Sequence, residues 1–383
     1  MRKQLAYLVL AALLGAVSCA PNPPPSAPAA TSAAPGATTA PAATWEVEWN
    51  RTVAAAKKEG RLVIYGNTTS EMREAVSKAF DAKFGIPIEW LPGRANELVE
   101  KIVSERRNGI YVPDVLSDAT TSAMNLLKPT GAMEVLEPKL ILPDVTDTSK
   151  WLNNRLWWVD PERTHIAYFA IPQTGIFINT DMVKPAEMTS YNNLLEPRWK
   201  GKIVMDDPTL GGSGNSWVTA MGELIMDRDY LRKLAAQEPM LLRDNRQEAE
   251  WVARGKYPVG AAMSPDEVVQ FIRAGAPVAS ITPKEGTFVT LSRGGLSVLD
   301  RAPHPNAAKV YLNWALSKDG QTVISKSEGL LSARTDVSSE FVDPSSQRQP
   351  GGKYFDTINY EYQLKKGEYV AIAKDIFGSL VGR

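Results

Sequence analysis

Cysteine is almost missing from this chain: of 383 residues only Cys19 is one, which excludes a disulfide within the chain. Histidine is nearly as scarce, with His165 and His304 the two present. A Cys/His metal cluster has no ligand set to draw on. A Ser/His/Asp or Cys/His nucleophilic set would have to borrow one of those two imidazoles, and neither stands beside a plausible nucleophile and orienting group. An excess of one charge is lacking too, since Lys+Arg and Asp+Glu both number 43 and the net charge is zero. No broad field steers the protein onto nucleic acid or an anionic bilayer, so a charged ligand must be held by local groups. No catalytic residue, metal site or cofactor is therefore expected. What is present suits a soluble folded body: at 44% hydrophobic and 22% charged residues, the chain is long enough for two lobes of ordinary domain size.

The N-terminus sets the compartment. Arg2 and Lys3 precede an apolar run from Leu5 to Val17, the layout of a secretory signal and too short for a comfortable span of about 20 residues. The run ends in Ala16-Val17-Ser18-Cys19, which resembles a bacterial lipobox, with Ala16 where leucine is commoner. The resemblance implies a signal peptide over residues 1–18 and acyl chains on Cys19. From Pro21 to Thr44 the chain is nearly all Pro, Ala, Ser and Thr, which cannot bury enough apolar surface to fold. Residues 19–44 are thus expected to be a lipidated cysteine and a disordered tether. No later apolar stretch is long enough to cross a bilayer, so the folded part works outside the cytoplasmic membrane, in the periplasm or at the cell surface.

Beyond Trp45 the pattern alternates strand and helix. A starter helix near Trp45–Glu59 leads to a short strand, Arg61–Tyr65. Thr68-Thr69-Ser70-Glu71 reads as a capping box before a helix with Met72, Val76, Ala79 and Phe80 on one face, closed by Gly85. Ile86–Leu91 and Asp114–Ser117 are further strands, with a helix around Leu98, Ile102 and Val103 between them and another at Thr121–Leu127. A second run opens with Gly175–Asn179 and Lys202–Met205, then the helix Ser216–Met226 and the strand Pro258–Met263. Ser264-Pro265-Asp266-Glu267 has an N-cap serine and a proline at the first helical position. Helices are expected at Asn306–Ser317 and near Glu368–Leu380, with a surface loop over Ser338–Gly352. Such alternation implies α/β architecture with parallel sheets covered on both faces.

Four separated segments carry a more specific signal: GIFINTDMVKP with LLEPRWKGKIVMDDP, then YPVGAAMSPDEVVQFIRAGAPV, then APHPNAAKVYLNWALSKDGQ. In this order they resemble type 2 periplasmic solute-binding proteins of ABC transporters, in the branch of ferric-iron and phosphorylated-sugar binders. The similarity runs from Arg61 to Asp336. It implies a two-lobed fold with a hinge and a central cleft, lobe 1 being residues 55–172 plus 287–383 and lobe 2 residues 173–286. The crossings would fall near Ile166–Thr174 and Thr287–Leu299. The implied function is capture of a small anionic solute, phosphorylated or carboxylated, by a monomer that delivers it to the permease subunits.

Parallel sheets hold ligands at the carboxyl ends of their strands, where helix N-termini offer N–H groups to an anion. Four such turns supply the candidate ligand residues. They are Asn67, Thr68, Thr69 and Ser70 after the first strand; Thr120 and Thr121 in the turn from Asp118 to Ser122; Ser213, Gly214, Asn215 and Ser216 in a glycine-rich loop; and Ser264 with Asp266. Arg94 is added for its bidentate grip on an anion, ahead of Arg243 and Arg246. Trp157 and Trp158 near the first crossing could stack on a sugar, though packing is the commoner use. In the iron binders two adjacent tyrosines ligate metal where Pro265 and Asp266 stand here, and the first turn lacks a histidine. Ferric iron or an iron chelate is the alternative solute. A sensory module for a membrane kinase and a hydrolase on the same scaffold are the alternatives of role.

Overall fold

The computed structural model describes residues 44–383 apart from 118, 119, 174, 293, 350 and 383, and apart from the side chains of residues 266 and 345. The signal segment, Cys19 and all but the last residue of the tether lie outside the described residues. Residues 43–383 form one compact unit. No helix among the described residues is long and apolar enough to cross a membrane.

Among the described residues, fourteen strands build three sheets. In chain order the first seven are β1 (Leu62–Gly66), β2 (Ile88–Pro92), β3 (Val115–Ser117), β4 (Trp157–Trp158), β5 (Ile166–Ala167), β6 (Ile171–Pro172) and β7 (Ile176–Asn179). The rest are β8 (Ile203–Asp206), β9 (Met240–Leu242), β10 (Val259–Ala261), β11 (Val278–Ile281), β12 (Thr287–Thr290), β13 (Gly295–Val298) and β14 (Tyr354–Asp356). The first sheet runs β2-β1-β3-β13-β5-β4, the second β11-β7-β10-β8-β9, and a small third β14-β12-β6. Each large sheet has the parallel centre expected of strand–helix alternation, β2-β1-β3 in one and β10-β8-β9 in the other. Neither is parallel throughout: β13 enters the first sheet antiparallel to β3, and β7 enters the second antiparallel to β10.

These antiparallel members follow from the crossings. The chain passes between the sheets through β5, β6 and β7 and returns through β12 and β13. The two connectors pair with each other, Ile171 opposite Thr290 and Pro172 opposite Val289. A strand that returns from the other sheet necessarily runs against the strands it left.

Local chemistry explains the helices flanking the cleft. Thr69 caps the helix Ser70–Phe84 through a bond from the Met72 amide, and Gly85 ends it in the left-handed conformation at φ 68°. Met72, Val76, Phe80 and Phe84 fall on the buried face, where Phe80 meets Tyr311 and Trp314 edge-on with ring centroids 5.5 and 5.3 Å away. Two helices expected to be regular widen into π turns after one or two turns, over Ala123–Leu127 and Met221–Ile225. The second of these helices begins at Ser213 rather than Ser216.

The C-terminal helix differs most from expectation. It starts at Tyr360 and runs to Phe377. Its Tyr362, Tyr369, Ala373 and Phe377 are buried in the hydrophobic core of the second sheet. The sequence reading drew this segment into the first lobe. Tyr369 anchors it instead: its hydroxyl lies 2.8 Å from Glu223 Oε1, and Gly222 makes room, since a Cβ there would stand 2.3 Å from that hydroxyl.

Candidate functional site

Because β1 and β3 run parallel in one sheet, and β8 and β10 in the other, their following turns gather at the carboxyl ends of the strands. A cavity of about 140 Å³ opens where turns of both sheets meet the crossing. Thr120 and Thr121 line it from the first sheet, Ser216 from the second, and Phe288 and Thr290 from β12. Tyr362, Gln363 and Lys366 of the C-terminal helix complete it.

The first-sheet wall is a closed hydrogen-bond circuit. Thr120 Oγ1 lies 2.8 Å from His165 Nε2, and His165 Nδ1 lies 2.6 Å from Ser297 Oγ, which donates at 3.0 Å to the carbonyl of Thr164. His165 is fully buried, and burial lowers its pKa to about 4, so the ring is neutral at physiological pH. Gly295 is needed here: a Cβ would come within 2.3 Å of His165 Nε2 and 2.4 Å of Thr120 Oγ1. Thr121 Oγ1 donates at 2.8 Å to Gln363 Oε1, and Gln363 Nε2 donates at 3.1 Å to the Thr357 carbonyl.

Behind Ser216, the second sheet carries two carboxyls that do not themselves line the cavity. Gly212 takes φ 148°, and Gly214 passes so close to β8 that a Cβ would stand 2.4 Å from the Asp206 carbonyl oxygen. That approach lets the Gly214 amide donate to Asp206 Oδ2 at 2.7 Å. The glycine-rich loop read as a cradle for a ligand anion is therefore already occupied in part by the protein's own carboxylate. Burial, joined by the charge of Asp207, pushes the Asp206 carboxyl up to about 6 against the pull of that amide. Beside it, Glu248 is wholly buried, and neither carboxyl oxygen has a hydrogen-bond partner among the described residues. Burial, with the charges of Asp206 and Asp244, pushes Glu248 up to about 9. Asn215 is buried with its Nδ2 unpartnered among the described residues, and Ser216 Oγ donates back to the Gly212 carbonyl at 2.9 Å.

The remaining expected residues lie apart from this cavity. Thr69 lines a second one, of about 330 Å³, facing Glu267, Gln270 and Arg273 of the helix Pro265–Arg273. Its hydroxyl is engaged by Glu328 Oε1 at 2.9 Å and by the Met72 amide. Thr68 is buried with its hydroxyl unpartnered among the described residues, Asn67 is half-buried, and Ser70 is exposed beside Glu71. Arg94 is exposed at the N-cap position of the helix Ala95–Arg107, whose Ala95 lines the first cavity. Ser264 occupies its N-cap position without the side-chain capping bond expected of it. The Asp266 side chain and Asp118 lie outside the described residues. Arg243 is taken up by Asp207 at 2.9 Å, and Arg246 lies over Phe271. Trp157 is buried with its indole N–H on the Leu152 carbonyl, the packing use of that side chain. Among the described residues, no three His, Cys, Asp or Glu side chains come together as a metal set.

Tyr362, Gln363 and Lys366 were not among the expected residues, because their helix was expected only near Glu368–Leu380. A capping pattern was nevertheless there to be found: Asn359 caps this helix through the Tyr362 amide.

The sequence model of the bacterial extracellular solute-binding proteins matches residues 75–351. An uncharacterized protein of Haemophilus influenzae is 25% identical over 322 residues, which is 80% of this chain and 86% of its own. The periplasmic binding protein AfuA of Actinobacillus pleuropneumoniae, solved with exogenous fructose-6-phosphate, is 23% identical; the match covers 83% of this chain and 99% of that one with a TM-score of 0.62. IdiA (FutA) of Trichodesmium, solved with iron and citrate, is 18% identical; the match covers 85% and 100% with a TM-score of 0.65. At these identities the structural likeness is one of fold, the type 2 periplasmic-binding-protein fold that the resemblance implied.

Proposed function

Because the chain belongs to the bacterial extracellular solute-binding proteins, we propose that it is the lipid-anchored receptor of an ABC importer, capturing a small solute with an anionic group between its two lobes. The observation that carries this reading is the cavity shared by the turn after β3, the helix that follows β8, and the crossing strand β12. A ligand there touches both large sheets and the connector between them. Closing the lobes about β6 and β12 would seal it and present the permease with a distinct shape. The two paired crossings are few residues long and joined by a short ladder, which suits a hinge. Arg94, at the N-cap of the helix whose Ala95 lines the cavity, is the group offered to an anion. The protein turns nothing over: the residues at the cavity bind and orient, and the buried His165 is committed to Thr120 and Ser297. Cys19 would carry the lipid and residues 19–44 the tether, which keeps the receptor near its permease.

Native mass spectrometry of the purified protein, followed by a thermal-shift screen of sugar phosphates, phosphonates, carboxylates, polyamines and ferric salts with citrate, tests this reading. A bound solute should raise the melting temperature by mass action, with about 2.7 kcal/mol at a hundredfold excess over Kd. Chemical conversion of any bound compound would overturn the receptor reading. A ferric salt acting alone would replace the anionic solute with iron.

A further inference from the structure

The edge of the first sheet opposite the solute cavity gathers arginines. β3 leads from its carboxyl end toward Thr120, and β13 runs against it, with Leu296 opposite Ser117 and Val298 opposite Val115. Asp300 and Arg301, which follow β13, therefore lie at the amino edge, as does Tyr111 just before β3. A cavity of about 270 Å³ there has Arg106, Arg107 and Arg301 in its lining and Asp300 as the one carboxylate. Three guanidiniums thus meet a single acid, in a chain whose formal charges balance. Arg106 is mostly buried and ion-paired with Asp300, and its Nη2 donates to the Asp300 carbonyl at 3.0 Å. Arg301 is 70% exposed, with Nε 3.8 Å from Asp300 Oδ2. Both guanidiniums stand over the Tyr111 ring, 5.0 and 5.2 Å from its centroid. Burial lowers the pKa of Arg106, and the like charge of Arg301 adds to the lowering. Two donors there are uncommitted. Arg107 is exposed and has no ion pair or hydrogen bond among the described residues. The Tyr111 hydroxyl accepts from Arg301 Nη1 at 2.5 Å, and its own proton has no acceptor among the described residues. Thr130, also in the lining, donates instead to the Leu127 carbonyl at 2.6 Å. The neighbouring Glu105 is taken by Lys101 at 2.7 Å and by Tyr65 at 3.1 Å.

We infer that this cavity is a second anion site, separate from the solute cavity, which takes a doubly charged tetrahedral group such as phosphate on Arg107, Arg301 and the Tyr111 hydroxyl. Two surplus positive charges call for a dianion, whereas a single carboxylate brings one negative charge. Guanidinium forks present paired donors that match the oxygens of such a group. Arg106 and Arg107 also sit in the last turn of the helix Ala95–Arg107, where a cation offsets the carbonyl end. That end amounts to roughly half a charge, and it does not account for Arg301, which arrives on a different segment. Free phosphate and a phospholipid headgroup offer the same chemistry. The inference is independent of which solute the receptor carries.

Two measurements on the purified protein test it, each run on the parent and on Arg107→Gln, Arg301→Gln and Arg94→Ala. All three replaced side chains are exposed, so the variants keep the fold, which their melting temperatures check. The first is calorimetric titration at pH 8 and low salt with inorganic phosphate, with acetate as a monoanion and malonate as a dianion of another shape. The expected result is saturable phosphate binding, at least about tenfold weaker in Arg107→Gln and in Arg301→Gln and unchanged in Arg94→Ala. Phosphate binding that only Arg94→Ala weakens belongs to the solute cavity and overturns the inference. Acetate or malonate binding as tightly as phosphate overturns it too. The second is sedimentation with vesicles of phosphatidic acid against vesicles of phosphatidylcholine, where any contribution of a lipid anchor is common to parent and variants. Phosphatidic acid binding that falls in Arg107→Gln and Arg301→Gln supports the site with a headgroup as its source. Variant-sensitive phosphate binding without that fall supports it with free phosphate as the source. Failure of both arms, with no saturation by phosphate up to about 10 mM and no variant-sensitive sedimentation, overturns the inference and leaves the receptor reading in place.

Discussion

The two sheets that meet at the cavity solve the problem of buried polarity in opposite ways. On the first sheet, Thr120, His165 and Ser297 form a chain in which each donor meets an acceptor, and burial keeps the imidazole neutral. On the second, a half-buried Asp206 stands near the wholly buried Glu248, which has no hydrogen-bond partner among the described residues, and burial raises both carboxyls, to about 6 and about 9. A satisfied network is rigid and cheap to keep, while an unpartnered acid costs stability wherever it ionises. The difference teaches that the first side is neutral and hydrogen-bonded at physiological pH, while the second loses stability as Glu248 gives up its proton.

The two sides should therefore respond to pH with opposite signs. Glu248 has its folded pKa raised from 4.5 to about 9, so its contribution is fully present below 4.5 and is lost as pH rises toward 9. Glu248→Gln should remove this alkaline loss and stabilise the protein at pH 8 by about 4 kcal/mol relative to the parent, read from denaturant melts between pH 5 and 9. A parallel pair of curves would erase the contrast between the sides. Asp206 adds to the effect in the same sense, in the lower window between 3.8 and about 6.

His165 runs the other way. Its folded pKa is lowered from 6.5 to about 4, so the unfolded chain takes up the proton first and stability falls as pH drops through that window. The stability difference between the parent and His165→Gln should shrink by about 3 kcal/mol from pH 7 to pH 4. Comparing slopes rather than single values separates titration from the lost hydrogen bonds.

Two smaller effects sharpen the picture of the second side. Gly214→Ala puts a methyl group 2.4 Å from the Asp206 carbonyl oxygen and should cost about 2 kcal/mol, measured by thermal unfolding, with the loop rather than the helix giving way. Tyr362→Phe leaves the Ser216 carbonyl without the donor now 2.8 Å away. It should cost about 1 kcal/mol. An unchanged melting temperature would show that the C-terminal helix is not tied to this side through that bond.

Much of the fold was legible because it depends on local signals. Thr69 and Gly85 bound their helix as the capping pattern implied, and the all-apolar β1 reads directly as a strand covered on both faces. Thr120, Thr121 and Ser216 were among the expected ligand residues and do share a cavity. Ser213 and Gly214 were expected in a loop before a helix at Ser216 and instead open that helix, with the Gly214 amide on Asp206, eight residues earlier on β8. Nothing in the loop itself announces that neighbour. The C-terminal helix was missed as a site element because its contributions are three residues contacting two sheets far back in the chain.

By itself the sequence determined what proximity along the chain controls: the scarcity of cysteine and histidine, the turns that cap helices, and the alternation that makes parallel sheets. Only the tertiary structure decided which way each proton points and which carboxyl is buried beside which. Those follow from contacts such as Thr120 with His165, Thr121 with Gln363 and Glu248 with Asp206, whose partners stand 45, 242 and 42 positions apart. A side chain's type states whether it can donate or accept, but the neighbour that claims the proton is set by packing.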